Sequence, residues 1–103
     1  MIKFLVSLAW LTLLASSAGA INIIGQGNKT CSDWLTEIAE GTSGTSEAWV
    51  TGFMSGLAVG DKNDFLKKSD LDTLINAVTA GCKLKPDDSV AKTVLSIVAK
   101  MEK

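Results

Sequence analysis

Histidine is absent from this 103-residue sequence, and so is arginine, because all ten basic residues are lysines. A chain without histidine has neither the commonest general base nor the Ser–His and Cys–His pairs that activate a nucleophile. A chain without arginine lacks the planar guanidinium that holds a phosphate or carboxylate through two parallel hydrogen bonds. We therefore predict a protein that is not an enzyme and that uses no cofactor.

Signals for β-strands are also scarce. Tyrosine is missing, proline occurs once, and neither Asn-Gly nor Asp-Gly is present to close a tight hairpin. Apolar residues recur instead at helical spacing, in four segments separated by polar or glycine-containing connectors. The predicted fold is all-α, a compact bundle of about four helices.

The N-terminus has the pattern of a secretory signal peptide. A positively charged start with Lys3 precedes an apolar run over residues 4–15, and small residues then lead to an Ala-x-Ala site ending at Ala20. An uncleaved membrane anchor is the alternative, but a spanning helix needs about 20 apolar residues. We predict export and cleavage of residues 1–20, with the bond after Ala18 as the alternative site.

The mature chain, residues 21–103, is expected to form a single domain of nearly balanced charge. Its nine lysines and eleven carboxylates leave a formal net charge of −2. This balance offers no electrostatic reason to expect nucleic acid or an anionic membrane as a partner. No later stretch of the sequence is long and apolar enough to span a bilayer. We therefore expect a soluble product.

Both cysteines, Cys31 and Cys82, belong to the mature part. An even number of cysteines in a short exported chain predicts a disulfide, and two cysteines allow a single intramolecular pairing. A free reactive thiol or a metal site is the competing interpretation. Two thiolates without histidine do not complete a tetrahedral metal site, so we expect no metal ion. Closing a loop of roughly 50 residues stabilises a fold by about 4 kcal/mol.

The first two helices have recognisable start and stop signals. The first is predicted over residues 31–40, with Thr30 as its N-cap and Gly41 as its stop. The second is predicted to start at the N-cap Ser46 and to end at Gly60.

The last two helices are predicted in the same way. Ser69 is the expected N-cap of the third and Gly81 its terminator, while Pro86 suits the first turn of the fourth. The disulfide should then join the start of the first helix to the end of the third. Paired carboxylates lie at the predicted helix starts, where capping explains them better than catalysis does: Asp70 with Asp72, and Asp87 with Asp88.

The second predicted helix carries a wide apolar stripe. Core packing is the ordinary explanation of such a stripe and of Trp34 on the first helix, and a surface for a ligand or partner is the alternative. Gly52 and Gly56 lie four residues apart in this helix, where each weakens it by roughly 0.5–1 kcal/mol relative to alanine. We expect them to allow close approach of another helix. The stripe consists of Trp49, Val50, Phe53, Met54 and Leu57.

Three short motifs spread over the mature chain resemble the HdeA/HdeB-like family of small periplasmic proteins of Gram-negative bacteria. They are Thr30-Cys31-Ser32-Asp33-Trp34-Leu35, Trp49-Val50-Thr51-Gly52-Phe53-Met54-Ser55-Gly56, and Cys82-Lys83-Leu84-Lys85-Pro86. The resemblance implies a periplasmic helical protein. The best-known members are acid-stress chaperones that are dimeric at neutral pH and open at low pH. They bind unfolding clients through exposed apolar surface, for which the stripe residues Trp49, Val50, Phe53, Met54 and Leu57 are our candidates.

The same features are similar to a second group, the Tai-type immunity proteins that neutralise amidase toxins of type VI secretion. These proteins also have a signal peptide and cysteines. They share a helix with a glycine-aromatic-x-x-glycine motif, and a cysteine followed by a proline just before the last helix. That resemblance implies a periplasmic inhibitor with a rigid surface that plugs a toxin's active site. An envelope protein of purely structural role is a third interpretation.

Overall fold

The computed structural model describes residues 22–102, and four α-helices account for most of them. Their bounds are α1 (Cys31–Glu40), α2 (Gly44–Asp61), α3 (Leu71–Leu84) and α4 (Val90–Met101), and a 3-10 turn (Gln26–Asn28) precedes α1. These residues contain no strand, although Thr30 and Ser89 form an isolated antiparallel bridge. The prediction of an all-α bundle of about four helices is confirmed. The predicted signal peptide and its cleavage site lie outside the described residues.

The disulfide belongs to the apolar core of the bundle. Cys31 is the first residue of α1 and Cys82 belongs to the last turn of α3, and their sulfur atoms are bonded across a sequence separation of 51 residues. Both cysteines are fully buried. The disulfide therefore joins the start of the first helix to the end of the third, as the positions of the cysteines predicted.

All four helices contribute to one apolar core around this disulfide. Trp34 is its largest fully buried side chain, and the indole Nε1–H donates a hydrogen bond to Thr79 Oγ1 at 3.0 Å. Burying the tryptophan therefore leaves no unpaired polar group at its indole nitrogen. The core consists of Cys31, Trp34, Val50, Met54, Leu74, Ile75, Val78, Cys82, Val90, Val94 and Val98.

The segments that precede α1 and α4 lie side by side. The amide of Cys31 donates to the carbonyl of Asp88 at 2.8 Å, and the amide of Val90 donates to the carbonyl of Lys29 at 3.0 Å. The amide of Ser32 donates to the carbonyl of Pro86 at 2.9 Å. Amides in the first turn of a helix have no partner within the helix. Here the two helix starts supply partners for each other, which connects the beginning of the domain to its last helix.

Both predicted boundaries of α2 and the predicted start of α3 are wrong. Helix α2 begins at Gly44 with Ser43 as its N-cap, so Ser46 lies within the helix and is buried. The Ser43 hydroxyl donates to the Glu47 carboxylate and accepts from no helix amide, so this helix start has no side-chain cap for the sequence to reveal. Helix α2 also continues past Gly60 to a left-handed C-cap at Lys62. Helix α3 is capped by the Asp70 carboxylate, which accepts from the Thr73 amide at 2.8 Å, rather than by Ser69.

The boundaries around Gly81 and Pro86 also differ from the prediction. Gly81 does not end α3, since the helix continues through Cys82. A Cβ at Gly81 would lie 2.7 Å from the Cγ2 of Thr93, so glycine serves there to let α4 approach α3. Pro86 lies in the turn before α4, whose N-cap is Ser89.

The glycines of α2 have a different environment from the one predicted. A Cβ at Gly52 or Gly56 would meet no other atom within 4 Å, so no helix of the described chain approaches them closely.

We expect Gly52→Ala to raise the free energy of unfolding by about 0.5–1 kcal/mol, because alanine restricts the unfolded chain more and clashes with nothing. Urea unfolding followed by circular dichroism measures this change. Gly41→Ala is the matched control and should destabilise, because Gly41 has a φ of 73°. A loss of stability in Gly52→Ala would contradict the open environment.

Candidate functional site: an aromatic surface beneath an N-terminal strap

The five residues of the predicted stripe divide into a buried and a partly exposed set. Val50 and Met54 are 1% and 0% exposed and belong to the core. Trp49, Phe53 and Leu57 pack against that core with part of each side chain still accessible. Of the five stripe residues, these three are the ones that a partner could contact while the bundle is closed.

Trp49 and Phe53 form an aromatic pair one helical turn apart on α2. Their ring centroids are 4.9 Å apart and the ring planes are inclined by 39°. A tilted arrangement at this distance is favourable for two aromatic rings, and large aromatic side chains dominate the energetics of protein interfaces. This partly exposed aromatic pair is therefore a candidate contact surface for an apolar side chain of another protein.

A short segment before α1 lies against Trp49, and we call residues 22–29 the strap. A Cβ at Gly27 would lie 2.1 Å from the Trp49 ring, and a Cβ at Gly25 would lie 2.9 Å from the indole Nε1. Glycine is therefore required at both positions for the strap to lie flat on the indole. No motif in the sequence indicated a role for this segment. Two glycines separated by one residue are the signal that could have indicated a close backbone approach.

A polar cluster fastens the strap to α1 and α2. Lys29 Nζ lies 2.5 Å from Glu37 Oε2 and 3.0 Å from Ser46 Oγ. Ser46 donates to Glu37 Oε1 at 2.6 Å, and Gln26 Oε1 lies 3.4 Å from the same hydroxyl. We call Gln26, Lys29, Glu37 and Ser46 the clasp. Ser46, which sequence reasoning placed at a helix start, is instead the buried centre of this cluster.

The electrostatics of the clasp favour an ionised Glu37. The hydrogen bond from Lys29, followed by that from Ser46, holds the pKa of the Glu37 carboxyl below its usual value. The ionised form of Glu37 is therefore the one that the clasp stabilises. Lys29 and Glu37 are each about one-fifth exposed, so solvent screens part of this attraction.

Two other carboxylates have a structural role, one as a helix cap and one in a surface ion pair. Asp70 caps α3, and the hydrogen bond from the Thr73 amide lowers the pKa of its carboxyl. Asp88 pairs with Lys92 at 3.5 Å. Within residues 22–102, no three acidic or cysteine side chains come together in a group that could hold a metal ion.

Two shallow depressions lie outside the aromatic surface. One, of about 320 Å³ between α3 and α4, is lined in part by Leu84, Ile97 and three lysines. The other, of about 480 Å³, runs along the exposed side of α2 past Gly44, Ala48 and Gly52 to Leu71. The small residues of this α2 groove leave its helix backbone accessible.

No protein-family model, curated protein or solved structure matches this chain. Among the described helices, none has the length and apolarity needed to cross a membrane. The fold and the site thus define a disulfide-stapled four-helix domain with a half-covered aromatic pair on α2.

Proposed function

We propose that this chain is an exported, non-enzymatic periplasmic protein of the HdeA/HdeB-like type, which binds unfolding proteins under acid stress. The observation that carries the proposal is the aromatic pair on α2, which is only partly buried and of which Trp49 lies against a short strap. Apolar clients would contact Trp49, Phe53 and Leu57 first. Val50 and Met54 would become accessible only after the core opens.

The titration of the mature chain supports an acid-activated role. Protonation of its eleven carboxylates changes the formal net charge from −2 toward +10, from nine lysines and the new amino terminus. Like charges on a small domain repel one another and loosen its packing. Without histidine, this change falls near the carboxyl pKa values of about 4. The disulfide would keep α1 and α3 connected in the loosened state.

Suppression of client aggregation tests the proposal. We expect the processed protein to reduce light scattering by an acid-denatured model client at pH 2–3. Replacing both aromatic residues, Trp49→Ser with Phe53→Ser, should remove most of this activity. Leu95→Ser is the matched control, because Leu95 is a 44% exposed apolar residue of α4 and is not one of the stripe residues of α2. The chaperone proposal fails if the unmodified protein leaves client aggregation unchanged at pH 2–3, or if Leu95→Ser is equally damaging.

An immunity or inhibitor protein is the second candidate function, and the α2 groove favours it. Gly52 and Ala48 present no bulky side chain, so a partner's backbone could approach α2 closely. This function requires a toxin gene beside the gene of this protein and a tight stoichiometric complex at neutral pH. A purely structural envelope role would require neither that complex nor suppression of aggregation.

A further inference from the structure

We propose that the depression between α3 and α4 binds a single-chain anionic amphiphile, a molecule with one negatively charged head group and a short apolar chain. The depression has a volume of about 320 Å³, at the small end of the range for ligand pockets. It shares no residue with the aromatic pair, the strap or the clasp. The proposal therefore goes beyond the function proposed for the α2 surface and does not depend on it.

Two helices form the walls of the depression. Helix α4 contributes Lys92, Ser96 and Lys100, which are spaced four residues apart and so lie on one face of the helix. Helix α3 contributes Gly81 and Leu84, of which the glycine adds no side chain to the wall. The α4 wall therefore places two ammonium groups along one side of the depression.

The charge of the depression differs in sign from that of the chain. Lys85, Lys92 and Lys100 line it against one carboxylate, Asp88, which leaves a formal charge of +2, whereas residues 21–103 carry −2. Asp88 pairs with Lys92 at 3.5 Å. Within residues 22–102, neither Lys85 nor Lys100 belongs to an ion pair. Two ammonium groups are thus left to attract an anion.

Compensation of the helix dipoles explains two of these lysines but not the third. Lys85 follows the end of α3 and Lys100 belongs to the last turn of α4, where a positive charge is favourable. Lys92 lies instead in the first turn of α4, at the positive end of the helix, and that turn has no acidic residue. Its ion pair with Asp88 is weak because Lys92 is 70% exposed. Lys92 therefore adds positive potential to the depression at the expense of its own helix.

The apolar part of the lining makes an amphiphile a better ligand than an inorganic anion. Leu84 is 83% exposed and is not part of the core, and Ile97 is partly buried against the core. The stems of the lysines add further apolar surface beside these two residues. An alkyl chain laid over Leu84 and Ile97 would remove their surface from water while its head group meets the ammonium groups. A lysine ammonium is a compact point charge, so carboxylate, sulfate and phosphate head groups all suit it.

Titration with octanoate at pH 7, followed by two-dimensional amide NMR, tests the proposal on the protein. We expect the largest changes in chemical shift at Gly81, Lys92 and Ser96, and little change at Trp49. Acetate has the head group without the chain, and 1-octanol has the chain without the charge. Each of them should bind about tenfold or more weakly than octanoate, because each uses only part of the lining.

Variants of the lining separate a built site from general attraction to lysines. Lys85→Gln with Lys100→Gln should weaken octanoate binding about fivefold or more, and Leu84→Ser should also weaken it. Lys67→Gln with Lys68→Gln removes the same charge from exposed positions outside the depression and should bind octanoate as the unmodified protein does. Circular dichroism verifies that the variants keep their helices. Equal affinities for octanoate and either acetate or 1-octanol, changes centred on the aromatic pair, or equal losses in the two lysine variants would overturn the proposal.

Discussion

Removal of the Cys31–Cys82 disulfide should lower the free energy of unfolding by about 4 kcal/mol, the chain-entropy value for a loop of this length. The two sulfur atoms close a loop with a sequence separation of 51 residues and lie fully buried in the core. Domains of this kind are stable by about 5–15 kcal/mol in total, so the loss removes a large share of the stability. We expect Cys31→Ala with Cys82→Ala to be partly unfolded at 37 °C.

Urea unfolding with and without a reductant measures this effect. The reductant should lower the midpoint of the unmodified protein to near that of the double alanine variant, and it should leave the variant's own midpoint unchanged. A decrease in unfolding free energy of less than about 1 kcal/mol would contradict the disulfide's central role in the bundle. It would indicate that helix packing alone holds the start of α1 and the end of α3 together.

The second large effect is expected for Trp34→Ala, which should destabilise the domain by about 3–5 kcal/mol. Trp34 is 0% exposed and is the largest of the fully buried side chains, so its truncation leaves a cavity that the disulfide-linked helices can fill only in part. The hydroxyl of Thr79 stays satisfied, because it also donates to the Ile75 carbonyl at 2.9 Å. The loss of stability therefore comes from lost packing and not from a polar group left without a hydrogen-bond partner.

Trp49→Ala provides the matched control for Trp34→Ala, with the same change of side chain at a partly exposed position. Its truncation should cost clearly less, because much of the indole surface remains in contact with water or with the strap. Equal losses of unfolding free energy in the two variants, measured by urea unfolding, would show that Trp49 is packed as tightly as Trp34. The strap would then be part of the core and not a cover over it.

The candidate site was only partly predictable from the sequence. Helical spacing identified the stripe on α2, but a wide stripe does not reveal which of its members face the core. The structure assigns Val50 and Met54 to the core and leaves Trp49 and Phe53 partly exposed. The orientation of α2 in the bundle decides this division, and that orientation depends on all four helices at once.

The clasp was not predictable, and the two strap glycines could indicate only a close backbone approach and not its partner, because these contacts join residues that are far apart in the chain. Lys29 and Ser46 are 17 positions apart, and Gly27 contacts Trp49 from a different element. Ser46 has the residue type of a helix cap, and only the tertiary fold turns it into a buried hydrogen-bonding centre. The capping preference of a serine does not indicate which hydrogen-bond partners other segments place beside it in the folded domain.

The sequence by itself determined the all-α class, the four helices and the pairing of Cys31 with Cys82. These follow from local periodicity and from the presence of just two cysteines, and α1 even has the predicted bounds. Only the tertiary structure decided that Gly81 allows α4 to approach, that the starts of α1 and α4 pair, and that the strap covers Trp49. The physical reason is the separation of the interacting residues along the chain. Hydrogen bonds and propensities within one helix depend on residues close in sequence, whereas packing depends on which helices come into contact in the folded domain.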